Sequence, residues 1–211
     1  MPYSVKEIFY SIQGEGFHSG RPAVFCRFSG CNKWSGREID RDKSTCPFCD
    51  TNFVGTNGTF GGKYENAQTL CLQILELWPN KNHQPFVILT GGEPMLQVDS
   101  ELIEELKNNN VYIAIETNGS LAVPESIDWI TVSPKDDQYI QKKGHELKLV
   151  YPSLVKPDSI TNTKFSYYYL SPCMVNKEED SKKNLENAIL YCMQYPKWKL
   201  SIQTQKYLGI R

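Results

Sequence analysis

The chain has 211 residues, 40% of them hydrophobic, and a formal net charge of −1. This length and apolar content predict a single globular domain over residues 1–211, and the near-neutral charge gives no reason to expect a nucleic-acid or anionic-membrane partner. The chain shows neither a basic N-terminal region followed by an apolar run nor an apolar stretch of membrane-spanning length. We therefore expect no signal peptide, no membrane association and a cytoplasmic location.

Short apolar runs alternate with amphipathic segments along the chain. A short edge strand is predicted near residues 5–13, and six clear strands over 22–28, 86–90, 111–115, 129–133, 146–151 and 167–170. Three main helices are predicted over 65–78, 101–109 and 181–195, with Ser100 capping the second. The expected apolar face of the third consists of Leu185, Ala188, Ile189, Cys192 and Met193.

The alternation of strands and helices predicts an α/β fold with a parallel sheet. Six strands and three helices are too few for a complete eight-unit barrel of about 250 residues. We therefore predict a partial, open parallel β/α barrel, with a Gly-rich loop over residues 55–62.

Three cysteines follow the first clear strand, and 14 residues separate Cys31 from the Cys46–Cys49 pair. Three thiolates can hold a 4Fe–4S cluster and leave the fourth iron open to a non-protein ligand. Adding Cys26 would instead give a four-cysteine zinc site, so the cysteines alone leave cluster and zinc equally open. Cys26 lies in an apolar run where a buried core residue is the commoner role, and the same role is expected for Cys71 and Cys192 in helices.

Polar residues collect where predicted strands end, at the edge where parallel α/β proteins bind ligands. Five such groups occur: Arg27 and Cys31; Thr90, Gly92 and Glu93; Glu116, Thr117 and Asn118; Ser133 and Lys135; and Ser171, Pro172 and Cys173. Five polar turns at one edge, together with three cysteines, indicate a binding site rather than solvated loops.

Seven segments carry a resemblance to a known family: Glu7–Gly16, Phe25–Asn32, Cys46–Thr51, Thr90–Pro94, Glu116–Gly119, Ser133–Lys135 and Gln203–Lys206. Together they resemble the radical S-adenosylmethionine enzymes and, among these, the 7-carboxy-7-deazaguanine synthase family. The resemblance runs from end to end of the chain. Two departures stand out: the wide first cysteine gap, which differs from the usual superfamily spacing, and Gln205, which stands where the family carries histidine.

The resemblance implies a lyase that converts 6-carboxy-5,6,7,8-tetrahydropterin to 7-carboxy-7-deazaguanine, with ring contraction and loss of ammonia, in queuosine and 7-deazapurine biosynthesis. The implied cofactors are a 4Fe–4S cluster, S-adenosylmethionine and Mg2+. The implied partners are a second copy of the chain, forming a homodimer, and a flavodoxin or ferredoxin as electron donor. Two other functions stay open: a zinc-binding interaction module and a radical activase that acts on a partner protein.

The resemblance also implies roles for individual residues. Cys31, Cys46 and Cys49 would ligate the cluster, and Thr51 with Asp50 would bind Mg2+. The implied S-adenosylmethionine contacts are Gly92, Glu93, Ser133, Pro134, Lys135, Cys173, Met174, Val175 and Asn176. The implied substrate contacts are Ile12, Gln13, Gly14, Glu15, Arg27, Thr90, Glu116 and Arg211. No side chain is expected to be catalytic, because the cofactor carries the radical.

Each role has an ordinary structural alternative. Glu93 could cap a helix, Arg27 could form a surface ion pair, Lys135 could be solvated, and residues 50–51 could form a turn. At the end of the chain, we expect Tyr207, Leu208 and Ile210 to anchor the terminus by packing. The Arg211 carboxylate would then bind the donor-rich pyrimidine edge of the pterin, unless it faces water.

Overall fold

The computed structural model describes residues 2–211, which form one nine-stranded sheet flanked by helices. The strands are β1 (Tyr3–Ile12), β2 (Pro22–Phe28), β3 (Gly62–Tyr64), β4 (Phe86–Gly91), β5 (Tyr112–Thr117), β6 (Trp129–Val132), β7 (Lys143–Tyr151), β8 (Lys164–Pro172) and β9 (Trp198–Leu200). The helices are α1 (Ala67–Glu76), α2 (Ser100–Asn108), α3 (Glu178–Gln194) and α4 (Thr204–Leu208). Short 3-10 helices span Glu38–Lys43, Pro94–Leu96 and Pro157–Ser159.

The sheet is open and mostly parallel. Its strand order is β3-β1-β2-β4-β5-β6-β7-β8-β9, so β3 and β9 form the edges. Strand β1 runs antiparallel to both of its neighbours, and all pairs from β2 to β9 are parallel. The predicted open, parallel α/β architecture is confirmed, with nine strands and four helices in place of about six and three.

One face of the sheet packs against α1 and α2. Leu70 and Ile74 of α1 and Leu102 and Leu106 of α2 are buried in the core cluster. Residues 86–89 of β4 are all buried, as expected for a central strand covered on both faces. Cys71 lies in this core, as predicted.

A loop over residues 13–21, rather than a helix, covers the amino-terminal half of the other face. The ring of Phe17 stacks on Trp129 at a centroid distance of 4.7 Å. The guanidinium of Arg21 lies 3.9 Å from the ring centroid of Phe86. Since these aromatic residues begin β4 and β6, the carboxyl-terminal half of this face stays open.

Three local predictions are corrected. Asp99, not Ser100, caps α2, because its carboxylate accepts a hydrogen bond from the backbone N–H of Leu102 at 3.0 Å. The predicted Gly-rich loop over residues 55–62 runs into strand β3 at Gly62, and this strand is defined by its pairing with β1. The apolar face of α3 is mostly uncovered, since only Ala188 is buried and Met193 is 75% exposed.

The exposure of α3 has a simple cause. Its main contacts are with β8 and the three-residue edge strand β9, so only a narrow part of its circumference is covered. Within residues 2–211, none of the helices has the length and apolar character needed to cross a membrane.

Candidate active site

A cavity of about 390 Å³ opens at the carboxyl ends of the parallel strands. Most of the residues proposed from the sequence line it: Ile12, Gln13, Gly14, Glu15, Arg27, Cys31, Cys46, Cys49, Asp50, Thr51, Thr90, Gly92, Glu116, Ser133, Lys135, Cys173, Met174 and Arg211. Glu93, Pro134, Val175 and Asn176 are not among the lining residues. The fold therefore brings together residues from the whole length of the chain.

The cysteines divide into two groups. Cys31, Cys46 and Cys49 are free thiols that line the cavity. Cys26 is fully buried in the core on the opposite face of β2, whose cavity side carries Arg27. Because side chains alternate along a strand, Cys26 cannot join the other three without a change of register.

Three cavity thiols of the N-terminal group are left once Cys26 is set aside. A structural zinc site takes four protein ligands around one ion, whereas a 4Fe–4S cluster can take each of three thiolates on a separate iron. The Cys46 thiol donates a hydrogen bond to Cys49, which lowers the pKa of Cys49 to about 6 and raises the pKa of Cys46 above its usual value. Burial raises the pKa of Cys31.

The segment between Cys31 and Cys46 folds back onto the cysteine pair. Trp34 is buried against Phe53, with ring centroids 5.7 Å apart. The Arg41 guanidinium lies 4.1 Å from the Trp34 centroid and donates to the carbonyl oxygens of Pro47 and Cys49 at 2.8 and 2.9 Å. Although part of this segment is exposed, Arg41 fixes the backbone of the turn that carries two thiols.

Gly92 lies where β4 meets the cysteine segment. Its N–H donates to the carbonyl of Phe28 at 3.2 Å, and the next N–H, of Glu93, donates to that of Gly30 at 2.9 Å. A Cβ on Gly92 would stand 2.0 Å from the Gly30 oxygen. The close approach of two backbones therefore requires glycine at this position.

The Glu93 carboxylate is fully buried and has protein donors on both oxygens. It accepts from the N–H of Met95 at 3.0 Å, the hydroxyl of Thr117 at 2.7 Å and the N–H of Asn118 at 2.7 Å. Burial raises the pKa of Glu93 above its usual range. The capping alternative is thus confirmed, and the side chain also ties the end of β4 to the end of β5.

Of the remaining proposed cofactor contacts, Ser133, Lys135, Cys173 and Met174 line the cavity. Lys135 is half-buried and donates to the Ser133 hydroxyl at 2.8 Å, so it is not a solvated surface lysine. Cys173 is buried just after β8, and its N–H donates a hydrogen bond to the carbonyl oxygen of Tyr151 at 2.8 Å. Val175 is exposed and exchanges backbone hydrogen bonds with the Ser181 hydroxyl, which organises the start of α3 rather than the cavity.

Arg27 forms the expected ion pair through one of the three nitrogens of its guanidinium group. Its Nε donates to Glu7 Oε1 at 3.0 Å, and the other oxygen of Glu7 lies 3.2 Å from an Arg211 nitrogen. The two terminal nitrogens of Arg27 have no hydrogen-bond partner among residues 2–211. A planar guanidinium held in this way can receive a ligand carboxylate.

The end of the chain is held by polar contacts. Tyr207 and Leu208 are 68% and 59% exposed, so the predicted apolar anchor is wrong. The Ser11 hydroxyl instead donates to the main-chain oxygen of Arg211 at 2.7 Å. Lys206 pairs with Asp50 at 2.6 Å, so one of the two proposed Mg2+ ligands already has a cationic partner.

No family model matches the chain. It is 50% identical to the 7-carboxy-7-deazaguanine synthase of Bradyrhizobium diazoefficiens over 213 residues, 52% to that of Burkholderia multivorans over 212, and 48% to that of Caulobacter vibrioides over 212. Each alignment covers 100% of both chains. The chain belongs to the 7-carboxy-7-deazaguanine synthase family. This is a family of radical S-adenosylmethionine enzymes of queuosine biosynthesis, so the resemblance predicted from the sequence is confirmed.

The fold agrees with this membership. The crystal structure of QueE from Escherichia coli superposes with a TM-score of 0.66 at 23% identity, over 97% of this chain and 95% of that one. At this identity, the likeness concerns the fold alone. Because the chain belongs to this family over its full length, the two alternative functions, a zinc-binding interaction module and a radical activase of a partner protein, are excluded.

Sequence reasoning missed Lys148, a buried residue that lines the cavity. Lys148 of β7 is buried, and its amine lies 2.8 Å from Glu15 Oε2 and 3.1 Å from Glu116 Oε2. Although burial by itself lowers the pKa of Lys148, the two carboxylates raise it above its usual value. For Glu15, burial acts in the opposite direction and raises the pKa. The charge of Lys148 and the hydrogen bond from it outweigh burial, so the pKa of Glu15 is about 2. The available signal was a pair of charges, Glu146 and Lys148, alternating with leucines in a parallel strand.

Glu146 lies deeper on the same face. Its carboxylate accepts from the N–H of Phe17 at 3.0 Å, and burial raises its pKa to about 7. Gln205, at the position where the family carries histidine, donates to Glu15 Oε1 at 3.1 Å. A Cβ on Gly14 would stand 1.8 Å from the Gln205 side-chain oxygen and 2.8 Å from the Gln205 backbone nitrogen, so the α4 backbone itself leaves no room for a larger residue at Gly14.

Proposed function

We propose that this chain is a cytoplasmic lyase, folded as one domain over residues 1–211, that converts 6-carboxy-5,6,7,8-tetrahydropterin to 7-carboxy-7-deazaguanine. One observation carries the proposal. Cys31, Cys46 and Cys49 line the same cavity as Arg27, which suits a carboxylate, and the acidic residues Glu15 and Glu116. The names of the relatives supply the product.

The three cavity thiols fit a 4Fe–4S cluster, which takes a thiolate on each of three irons and keeps the fourth open. Together with S-adenosylmethionine, such a cluster supplies one-electron radical chemistry. The chain binds and orients the reactants and excludes water. Gly92, Ser133, Lys135, Cys173 and Met174 are proposed contacts for S-adenosylmethionine because they line the same cavity as the thiols.

Glu93, Pro134, Val175 and Asn176, which do not line the cavity, are proposed to act through the backbone of these turns. Glu93 has the clearest role, since its carboxylate holds the ends of two strands together next to Gly92.

The substrate offers a carboxylate at one end and a donor-rich aminopyrimidinone at the other. Arg27 binds the carboxylate with its free fork, and Glu15 and Glu116 accept hydrogen bonds from the pyrimidine N–H groups. The backbone of residues 12–14, the side chain of Thr90 and the main-chain carboxylate of Arg211 complete the proposed substrate site.

Thr51 is proposed as a Mg2+ ligand that faces the substrate carboxylate. A hydroxyl, substrate oxygens and water suit this hard ion, which is often held by few protein groups. Asp50 is the secondary ligand, and it would exchange Lys206 for the ion. A homodimer and a flavodoxin or ferredoxin donor are proposed on family membership.

The test is anaerobic turnover. The chain is reconstituted with iron and sulfide, reduced, and mixed with S-adenosylmethionine, Mg2+ and the tetrahydropterin, and the products are identified by mass spectrometry. We expect 7-carboxy-7-deazaguanine from the parent chain and none from Cys31→Ala. A parent chain that binds about four irons, as one cluster requires, yet forms no product would overturn the proposal.

A further inference from the structure

Lys148 has no role in the proposed function. We call this lysine and the acidic residues that face it, Glu15, Glu116 and Glu146, the floor of the cavity. Lys148 projects from the middle of β7, and its side chain is 8% exposed. Its amine lies 2.8 Å from Glu15, on the loop after β1, and 3.1 Å from Glu116, at the end of β5. Residues separated by more than 100 positions therefore meet at one buried charge.

The carboxylates on this floor outnumber the cation. Three acidic groups face the Lys148 amine: Glu15 from the loop, Glu116 from β5 and Glu146 from β7 itself. Burial raises the pKa of Glu146 to about 7, so this carboxyl group is about half protonated at neutral pH. Even when Glu146 is neutral, two carboxylates face one ammonium, so the floor has a net negative charge.

The two carboxylates are only partly satisfied by the protein. An ionised carboxylate has about four acceptor sites. Glu15 accepts from Gln203 at 3.2 Å, Gln205 at 3.1 Å and Lys148 at 2.8 Å. Among residues 2–211, Glu116 accepts only from Gln13 at 2.8 Å and Lys148 at 3.1 Å. Acceptor sites are therefore left on both groups, and both groups line the cavity.

We propose that Lys148 is a positioning residue for substrate recognition, which holds Glu15 and Glu116 as a pair of ionised acceptors aimed at the N–H edge of the bound pterin. The inference rests on the proposed function and adds a residue that acts on the substrate only through two others. Its physical basis is like-charge repulsion: two nearby carboxylates do not both stay ionised without a cation between them.

Loss of the ammonium would change the chemistry of the site. One carboxyl group would take up a proton and become a hydrogen-bond donor, which repels a donor edge. Substrate affinity would then depend on pH, because a rising pH removes this proton and restores the second acceptor. A lysine that served only the stability of the fold would not produce this dependence.

The test compares Lys148→Met, which removes the charge, with Lys148→Arg, which keeps it. Lys143→Met is the matched control, because Lys143 lies on the same strand but is 62% exposed and pairs with Glu125 outside the cavity. The dissociation constant of the tetrahydropterin and its KM are measured on the reconstituted holoenzyme between pH 6.5 and 9, together with the melting temperature.

We expect the parent, Lys143→Met and Lys148→Arg to share one affinity profile across this range. Lys148→Met should bind at least about tenfold more weakly than the parent at pH 6.5, and the difference from the parent should shrink as the pH rises, by at most about tenfold per pH unit. A folded Lys148→Met with the affinity and pH profile of the parent would overturn the proposal.

A second measurement needs no variant at Lys148. In the parent labelled with 13C-glutamate, with Glu15→Gln to assign the signal, the Glu15 carboxyl should stay ionised down to about pH 4. Titration of Glu15 near neutral pH would overturn the proposal even if Lys148→Met does not fold. A parent that shows the ionised Glu15 but neither binds nor converts the pterin would refute the proposed function instead.

Discussion

Gly92→Ala tests how closely the end of β4 approaches the cysteine segment. The new Cβ would stand 2.0 Å from the Gly30 carbonyl oxygen and 2.9 Å from Cys31 Cβ, whereas ordinary contact begins at 3.4 Å. The two backbones must therefore separate by about 1.4 Å at this point. Because Gly30 directly precedes Cys31, the displacement moves a proposed cluster ligand.

The cost has two parts. Overpacking of a tight site costs about 1–3 kcal/mol. The separation also breaks the 2.9 Å hydrogen bond from Glu93 N–H to the Gly30 carbonyl, which adds about 1 kcal/mol. The total of about 2–4 kcal/mol lowers the melting temperature of a chain of this size by about 5–15 °C.

The assay measures melting temperature, iron content and S-adenosylmethionine affinity after anaerobic reconstitution. Gly62→Ala is the control, because the nearest atom to its Cβ would be Tyr64 Cε2 at 4.0 Å. We expect Gly92→Ala to melt earlier, to retain less iron and to bind the cofactor more weakly, with Gly62→Ala close to the parent. Gly92→Ala with the parent's values in all three measurements would refute the close-approach argument.

Three further predictions follow from the cavity and its surroundings. Cys26→Ala should keep the iron and lose only about 1 kcal/mol of stability, because the side chain is in the core on the far face of β2; loss of iron from this variant, measured beside Cys31→Ala, would contradict the assignment. Thr51→Ala should lose most of the stimulation of turnover by Mg2+ while its cluster absorbance is unchanged, and equal stimulation in variant and parent would count against the Mg2+ site. Glu146→Gln should be more stable than the parent at high pH: the folded pKa of about 7 exceeds the unfolded value of 4.5, so the contribution of Glu146 is present below pH 4.5 and is lost as the pH rises through 7. Urea unfolding at pH 5 and pH 8 should show the difference between Glu146→Gln and the parent growing by about 3 kcal/mol, and a difference independent of pH would refute the raised pKa.

The parts of the fold that could be predicted are those set by local patterns. Strand β2 begins and ends as predicted, because a β-branched and aromatic run is terminated by Ser29 and Gly30. The position of the cavity was also predictable, since strand ends in a parallel sheet share one edge. The first inference needs only the residues of one element, and the second needs only the residues that follow each strand.

The parts that could not be predicted depend on distant partners. Lys148 reads as one more polar residue of β7 until Glu15, 133 positions away, is placed beside it. Strand β3 has three residues and is defined by its pairing with β1. The exposure of Tyr207 and Leu208 likewise reflects what lies next to α4, which hydrophobicity alone does not reveal.

The two faces of the sheet separate the origin of stability from the origin of chemistry. The apolar core under α1 and α2 is built from protein side chains alone, whereas the thiols and charges lie on the opposite side. We therefore expect the chain without iron or small molecules to remain folded, because most of the buried apolar surface does not depend on them. Protein purified in air is then a sound starting material for reconstitution, and variants of the cavity can be compared on a common scaffold.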